Sequence, residues 1–411
     1  MSMYLKVIIL LLAAFTMRPT VFGQSYTALS LAFCLAAFFI FVLEKMKSNM
    51  SVGVVTRKNF YVLLMIFVSW VYLLSHAWIM GSSNVEAALN ATIIQLVTIT
   101  IFALILSSEK ENYIFFKWFI RLLVFFSFSY VVTVFLSFFI DIRTLFLFEL
   151  PIEGRTYHTH NFYFPLSSTL GSFTVNGITL PRFLGFFREP GILQAFLIWA
   201  LFNLKQYDLD NIKNKLLLLL GIIGTFSTTA IVVLIGTLAV KYIINKKVFR
   251  GFAIIGISIL ALIYVPYVGI ADKVTTHEES INARSTATVN GLVNLMDNPF
   301  GTGLYDVGIN DVELSGINLL AASSKIGIIG LVLVLMVYIL PMLGYQAKKN
   351  YLIGITPILI TLLYAQPIFD SPLIYALLMA NYTYTPIEAD EKSRSNIPKL
   401  FRFKRYKLVW K

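Results

Sequence analysis

A chain that keeps running apolar for about 17–23 residues at a time has few ways to fold, because each run matches the helix length that crosses about 30 Å of hydrocarbon. Lipid leaves backbone amides and carbonyls no water to bond, and a helix satisfies them within its own segment. Such runs occupy residues 4–22, 26–43, 60–80, 88–106, 118–140, 190–204, 251–270, 324–345 and 351–367. Composition agrees: 58% of the 411 residues are hydrophobic, 13% are charged, and mean hydropathy is +0.78, all outside the range of soluble domains. The first run follows Lys6 and is not followed by a small-residue cleavage site, so a retained first helix is expected and not a signal peptide.

Residues 215–245 are too long for one ordinary span and short for two, with Gly221, Gly224 and Ser227-Thr228-Thr229 in the middle. Lys205, Lys213 and Lys215 precede this stretch, and Lys241, Lys246, Lys247 and Arg250 follow it. Basic blocks mark the cytoplasmic side, so the segment is expected to go out and back as two short helices breaking near Ser227. Splitting the end of the chain at Gln366-Pro367 adds a last span at 368–385. The expected fold is an all-α integral membrane protein of about twelve transmembrane helices with both termini cytoplasmic. This map places 25 of the 33 basic residues on the cytoplasmic side.

One membrane domain, 1–388, precedes a basic tail, 389–411, whose Arg402, Lys404, Arg405 and Lys407 suit contact with anionic lipid. The net charge of +12 does not indicate nucleic acid, since the basic residues lie in short blocks between apolar runs. The single cysteine, Cys34, excludes an intrachain disulfide and a thiolate-rich metal site.

Two long connections, about 141–189 and 271–323, fall on the outer side, and their aromatic and apolar content argues for packed structure. Within the first, LPRFLGFFREPG at 180–191 brings Arg182, Arg188 and Glu189 to the start of a hydrophobic helix. An ionisable group at the edge of hydrocarbon costs a few kcal/mol unless it faces protein, water or ligand, which makes it a functional candidate. Arginine's planar fork fits phosphate oxygens, and a helix N-terminus attracts the same anion. The plainer alternative is an Arg188–Glu189 pair that anchors the helix start, with Pro190 in the first helical position. Residues six apart lie on different faces of a straight helix, so convergence of the two arginines requires a break at Gly185 and Pro190. In the second connection, Arg284 precedes a short apolar stretch and the turn residues Asp297, Asn298, Pro299, Gly301 and Gly303. His158 and His160 have no third ligand nearby, so no metal is expected, and no nucleotide-binding loop is present.

Taken in order, Arg18-Pro19, the 182–191 run, the broken TFSTTA helix pair and the ARS…DNPFGTGL…KIGIIG progression from 283 to 330 resemble the Wzy-type O-antigen and exopolysaccharide polymerases. The O-antigen ligases of the same superfamily are similar more distantly. The resemblance spans nearly the whole chain. It implies transfer of a glycan from undecaprenyl diphosphate to an acceptor sugar hydroxyl at the outer face of the cytoplasmic membrane, without a cofactor. Arg182, Arg188 and Arg284 would then bind the departing diphosphate, and the base would be Glu189, His158, His160 or Asp306. A flippase and a chain-length regulator of the same pathway are the protein partners it implies. The ligases carry a histidine eleven residues before the glycine matching Gly327, and Gly316 stands there, which favours polymerase over ligase. A flippase of lipid-linked glycans is the remaining alternative, because many helices with intramembrane glycine and proline also suit a carrier.

Overall fold

The computed structural model describes residues 2–23, 27–47, 55–82, 85–151, 159–175, 178–264, 278–304 and 318–382. The apolar runs are helices: α1 (Ser2–Phe15), α2 (Thr27–Lys47), α3 (Arg57–Ile79), α4 (Val85–Ile105), α5 (Glu109–Ser137), α6 (Pro190–Asn203), α7 (Ile212–Gly224), α8 (Thr228–Ile244) and α9 (Val248–Tyr264). After α10 (Glu278–Asp297) come α11 (Leu319–Ile339), α12 (Lys348–Tyr364) and the short α13 (Pro372–Leu378). Five of them, α2, α3, α4, α5 and α11, are long and apolar enough to cross a membrane, as in a multi-pass membrane protein.

Several boundaries differ from the sequence expectation for identifiable reasons. The run at 4–22 is helical only to Phe15, because Thr16 turns its hydroxyl back onto the Leu12 and Ala13 carbonyls and Arg18 precedes a proline. Helix α5 begins nine residues before the expected 118, where Glu109 and Glu111 complement the positive end of its dipole. The run at 215–245 is two helices, broken at 225–227 where Phe226 takes a φ of 46°. The expected last span at 368–385 holds only the seven helical residues of α13 among its described part.

The main correction concerns residues 141–189. An all-α chain was expected, and this connection instead folds as a four-stranded antiparallel sheet of β1 (Phe146–Pro151), β2 (Thr159–Tyr163), β3 (Ser167–Val175) and β4 (Ile178–Phe183), in that order. Its residues are the β-branched and aromatic types that suit a half-buried pleat. Phe162 and Phe183 are fully buried beneath it, and Phe162 and Phe186 continue the aromatic core that Phe15, Phe119, Phe126 and Trp199 build between α1, α5 and α6. The tail, 389–411, lies outside the described residues.

The end of the bundle opposite the sheet is tied by charge. Lys6 of α1 is buried and paired with both Glu44 of α2 and Glu111 of α5. Asn112 donates to the Met379 carbonyl at 2.8 Å, and the Tyr345 hydroxyl to the Ala380 carbonyl at 2.7 Å, which fixes the chain just past α13 to that same basic end. The second connection also has a defined frame. The turn after α10 docks on a kink in α11, where the Lys325 carbonyl accepts the Thr302 and Gly303 amides at 3.1 and 2.9 Å and Gly327 takes a φ of 69°.

Candidate functional site

Three helices reach only part-way from the basic end: α1 starts there and stops short, while α6 and α13 begin within the bundle and end there. Helices α1 and α6 have 14 residues each and α13 has seven. At about 1.5 Å per residue these are about 21, 21 and 10 Å long, short of the roughly 30 Å of a hydrocarbon core. Phe15, the last residue of α1, packs against Phe119 and Phe126, which lie near the middle of the 29-residue α5. Segments that end at this level must be joined to one another, since an unpaired backbone group at membrane depth costs several kcal/mol.

The junction is made by backbone bonds between three sequence-distant turns. The Val21 amide donates to the Phe186 carbonyl at 2.9 Å, the Arg188 amide to Pro19 at 3.3 Å, and the Leu373 amide to Arg18 at 3.2 Å; Thr20 and Phe187 form an isolated β-bridge. Gly185, at a φ of 56°, turns the chain out of β4, and Pro190 starts α6. The break that convergence of the arginines required is therefore present, as a strand, a turn and a helix start. Glycine is needed in a second place: a Cβ on Gly191 would stand 2.6 Å from the Gln366 amide nitrogen.

Charged and polar side chains gather around this junction. Arg18 reaches Asp370 at 3.4 Å, with both side chains partly open to solvent. Arg188 and Glu189 are half-buried in the turn. Glu189 holds the position before the first turn of α6 in an extended conformation, and its side chain makes no capping hydrogen bond. Beneath them Gln194, fully buried, donates to the Gly191 carbonyl at 3.0 Å and the Thr361 hydroxyl at 3.2 Å. A small cavity beside Arg18, bounded also by Ser30, Gln95, Thr98 and Pro372, has room for about one water molecule, and the buried Gln95 Oε1 makes no hydrogen bond in the protein.

His160 belongs to the same neighbourhood. It is fully buried on β2, its Nδ1 faces the Ser168 hydroxyl at 3.3 Å, and the Arg188 backbone carbonyl lies within reach of its ring, though Nε2 makes no bond of good geometry. Burial, with a smaller contribution from the Arg188 charge, pushes its pKa down to about 4, so the imidazole is neutral at pH 7.

Of the residues expected from the sequence, Arg188, Glu189 and His160 therefore share one turn and its support. Arg182 lies on β4, half-buried, six residues before Arg188. Arg284 is on α10, and its side chain is not described; His158 and Asp306 lie outside the described residues. Among the described residues no cluster of three metal-ligating side chains occurs.

Asp370 was not singled out from the sequence, and Arg18 entered only as part of a motif. The signal for Asp370 was available: it is the sole charged residue between Asn350 and Tyr384. Chemically the turns of this one backbone-bonded junction carry two cationic forks, two carboxylates and a helix start, groups that can bind an anionic, hydroxyl-bearing ligand. Compared with protein-family models, curated proteins and solved structures, the chain matches none.

Proposed function

We propose that the chain polymerises lipid-linked glycan repeat units, as the Wzy-type polymerases that its motifs resemble do. The observation that carries the reading is the junction itself: the Arg18-Pro19 turn and the Arg188-Glu189-Pro190 turn, 170 residues apart, are bonded to each other where helix α1 has ended and helix α6 begins. Placing arginines at such depth is costly unless they face protein, water or a ligand, and half-open arginines leave room for the last.

In this reading the chain crosses the cytoplasmic membrane twelve times with both termini inside, and the junction opens outward. Arg182, Arg188 and Arg284 hold the diphosphate of an undecaprenyl-linked glycan. The bond between the anomeric carbon and the phosphate oxygen breaks, the acceptor sugar hydroxyl forms the new glycosidic bond, and the diphosphate leaves with the electron pair, its charge stabilised by the arginines. The hydroxyl proton goes to a base. Glu189 is better placed than His160, because its side chain is partly open while His160 is sealed beneath the sheet. His160 instead steadies the turn through the Arg188 carbonyl. His158 and Asp306 remain candidates by the sequence resemblance. The product is O-antigen, capsular polysaccharide or exopolysaccharide, and a flippase and a chain-length regulator are the expected partners.

A deletion strain tests this. Loss of a polymerase leaves single repeat units on the surface and removes the long ladder from a glycan gel. Full-length polymer left unattached on undecaprenyl diphosphate would replace the proposal with a ligase, and repeat units trapped inside would replace it with a flippase.

A further inference from the structure

The sheet sits lower along α5 than a loop lying outside the membrane would. It is tied to α5 at Ser129, whose hydroxyl accepts the Leu166 amide at 2.8 Å, and at Tyr130 and Thr133, whose hydroxyls donate to the Pro181 and Phe164 carbonyls at 2.9 and 2.7 Å. Phe183 also stacks on Tyr130 with ring centroids 4.7 Å apart. These ties lie one to two turns before α5 ends at Ser137, so the sheet stands beside the last turns of an apolar, membrane-length helix.

Its outward rim is apolar. Phe138 and Phe139 just past α5, Phe146, Leu147 and Phe148 on β1, and Phe164 in the turn after β2 are each between 42% and 73% exposed. Because β1 is an edge strand, three consecutive residues expose apolar side chains on both of its faces. In water such an edge invites strand pairing and aggregation. Deep in hydrocarbon its outer amides and carbonyls would have no partners. The depth that satisfies both constraints is the boundary between acyl chains and headgroups, where aromatic rings collect and water still reaches the backbone. The exposed apolar surface is continuous with the face of α5 through Phe135 and Phe128, which identifies the covering phase as lipid. Exposed Asp141 and Arg143 interrupt it at the 3₁₀ turn between α5 and β1, and exposed Glu149 ends it on β1, as headgroup-level residues would.

We propose that residues 138–148 and Phe164 are seated in the bilayer at the acyl–headgroup boundary, so that the sheet is a membrane-inserted element. This rests on the chain being a membrane protein and not on the polymerase reading. The test uses the full chain carrying Cys34→Ala, reconstituted in phosphatidylethanolamine–phosphatidylglycerol vesicles, with a spin label at one introduced cysteine. Phe139→Cys and Leu147→Cys are the tests, Phe128→Cys on α5 is the lipid reference, and Lys213→Cys is the water reference. All four positions are exposed, so labelling displaces no buried side chain. The expected result is a ratio of oxygen to nickel-complex collisions at 139 and 147 at least about threefold above that at 213, approaching that at 128. Nickel-favoured collisions like those at 213 would overturn the proposal by placing the rim in water. Protection from both reagents would also overturn it, by placing the rim against a second copy of the chain.

Discussion

Replacing Gly327 by alanine should undock the turn at 299–303 from α11. The residue sits at φ 69°, ψ 176°, a conformation close to exclusive to glycine, inside an otherwise helical stretch. A Cβ there would stand 2.3 Å from the Phe300 carbonyl oxygen and 2.6 Å from its carbon, both backbone atoms that cannot rotate aside. Relief requires breaking three backbone bonds, Thr302 and Gly303 to the Lys325 carbonyl at 3.1 and 2.9 Å and Ile328 to Pro299 at 2.9 Å. The strained conformation costs on the order of 1–3 kcal/mol for alanine, and three bonds contribute about 1 kcal/mol each. The chain either stays docked with the strain or undocks without the bonds, so local stability should drop by about 3 kcal/mol, which corresponds to amide exchange roughly a hundredfold faster at Thr302, Gly303 and Ile328. Hydrogen–deuterium exchange read by mass spectrometry on peptides spanning these residues measures it. Gly256→Ala, where a Cβ meets nothing within 4 Å, is the control and should leave exchange unchanged. Exchange in Gly327→Ala within threefold of the parent protein would refute the interlock.

Four further outcomes follow from the geometry. His160 has a folded pKa of about 4 against about 6.5 when unfolded, so its contribution is full above pH 6.5, is lost as pH falls from 6.5 to 4, and is constant below. The loss should be on the order of 3 kcal/mol in unfolding measurements, absent in His160→Gln; stability that rises with acid would contradict the burial. Lys6→Met leaves two carboxylates facing each other among α1, α2 and α5 and should lower stability by about 3 kcal/mol, recovered by adding Glu44→Gln and Glu111→Gln; an unchanged melting temperature in the single variant would contradict this. Arg188→Lys should lose the long-chain ladder at matched protein level, because an ammonium cannot reproduce a forked contact, and the Arg18→Asp, Asp370→Arg exchange should restore stability lost by either single change without restoring the ladder. A normal ladder in either case would remove those arginines from the site.

Apolar periodicity made the helices legible, because run length in a membrane chain is set by bilayer thickness and survives without tertiary detail. The sheet was not read, although Asn176-Gly177 stands between the paired Val175 and Ile178, a common hairpin dipeptide. Its strands are five to nine residues long and rich in serine and threonine, too short and polar to register against runs of twenty. Arg188 and Glu189 were legible because charge at the edge of an apolar run needs a reason. Asp370 obeys the same rule, but it was absorbed into the expected last span at 368–385, whose helix starts only at Pro372. What no single-sequence pattern carries is the contact itself. Pro19 meets Arg188 across 169 positions through backbone bonds, which any residue type can make.

The most direct measurement is elongation by the purified chain in vesicles supplied with undecaprenyl-diphosphate-linked repeat units, reading glycan length and released undecaprenyl diphosphate together. A polymerase yields a ladder of increasing length with one lipid diphosphate released per bond formed, and Arg188→Lys yields neither. Movement of intact lipid-linked units across the bilayer, with no elongation and no release, would contradict the polymerase reading.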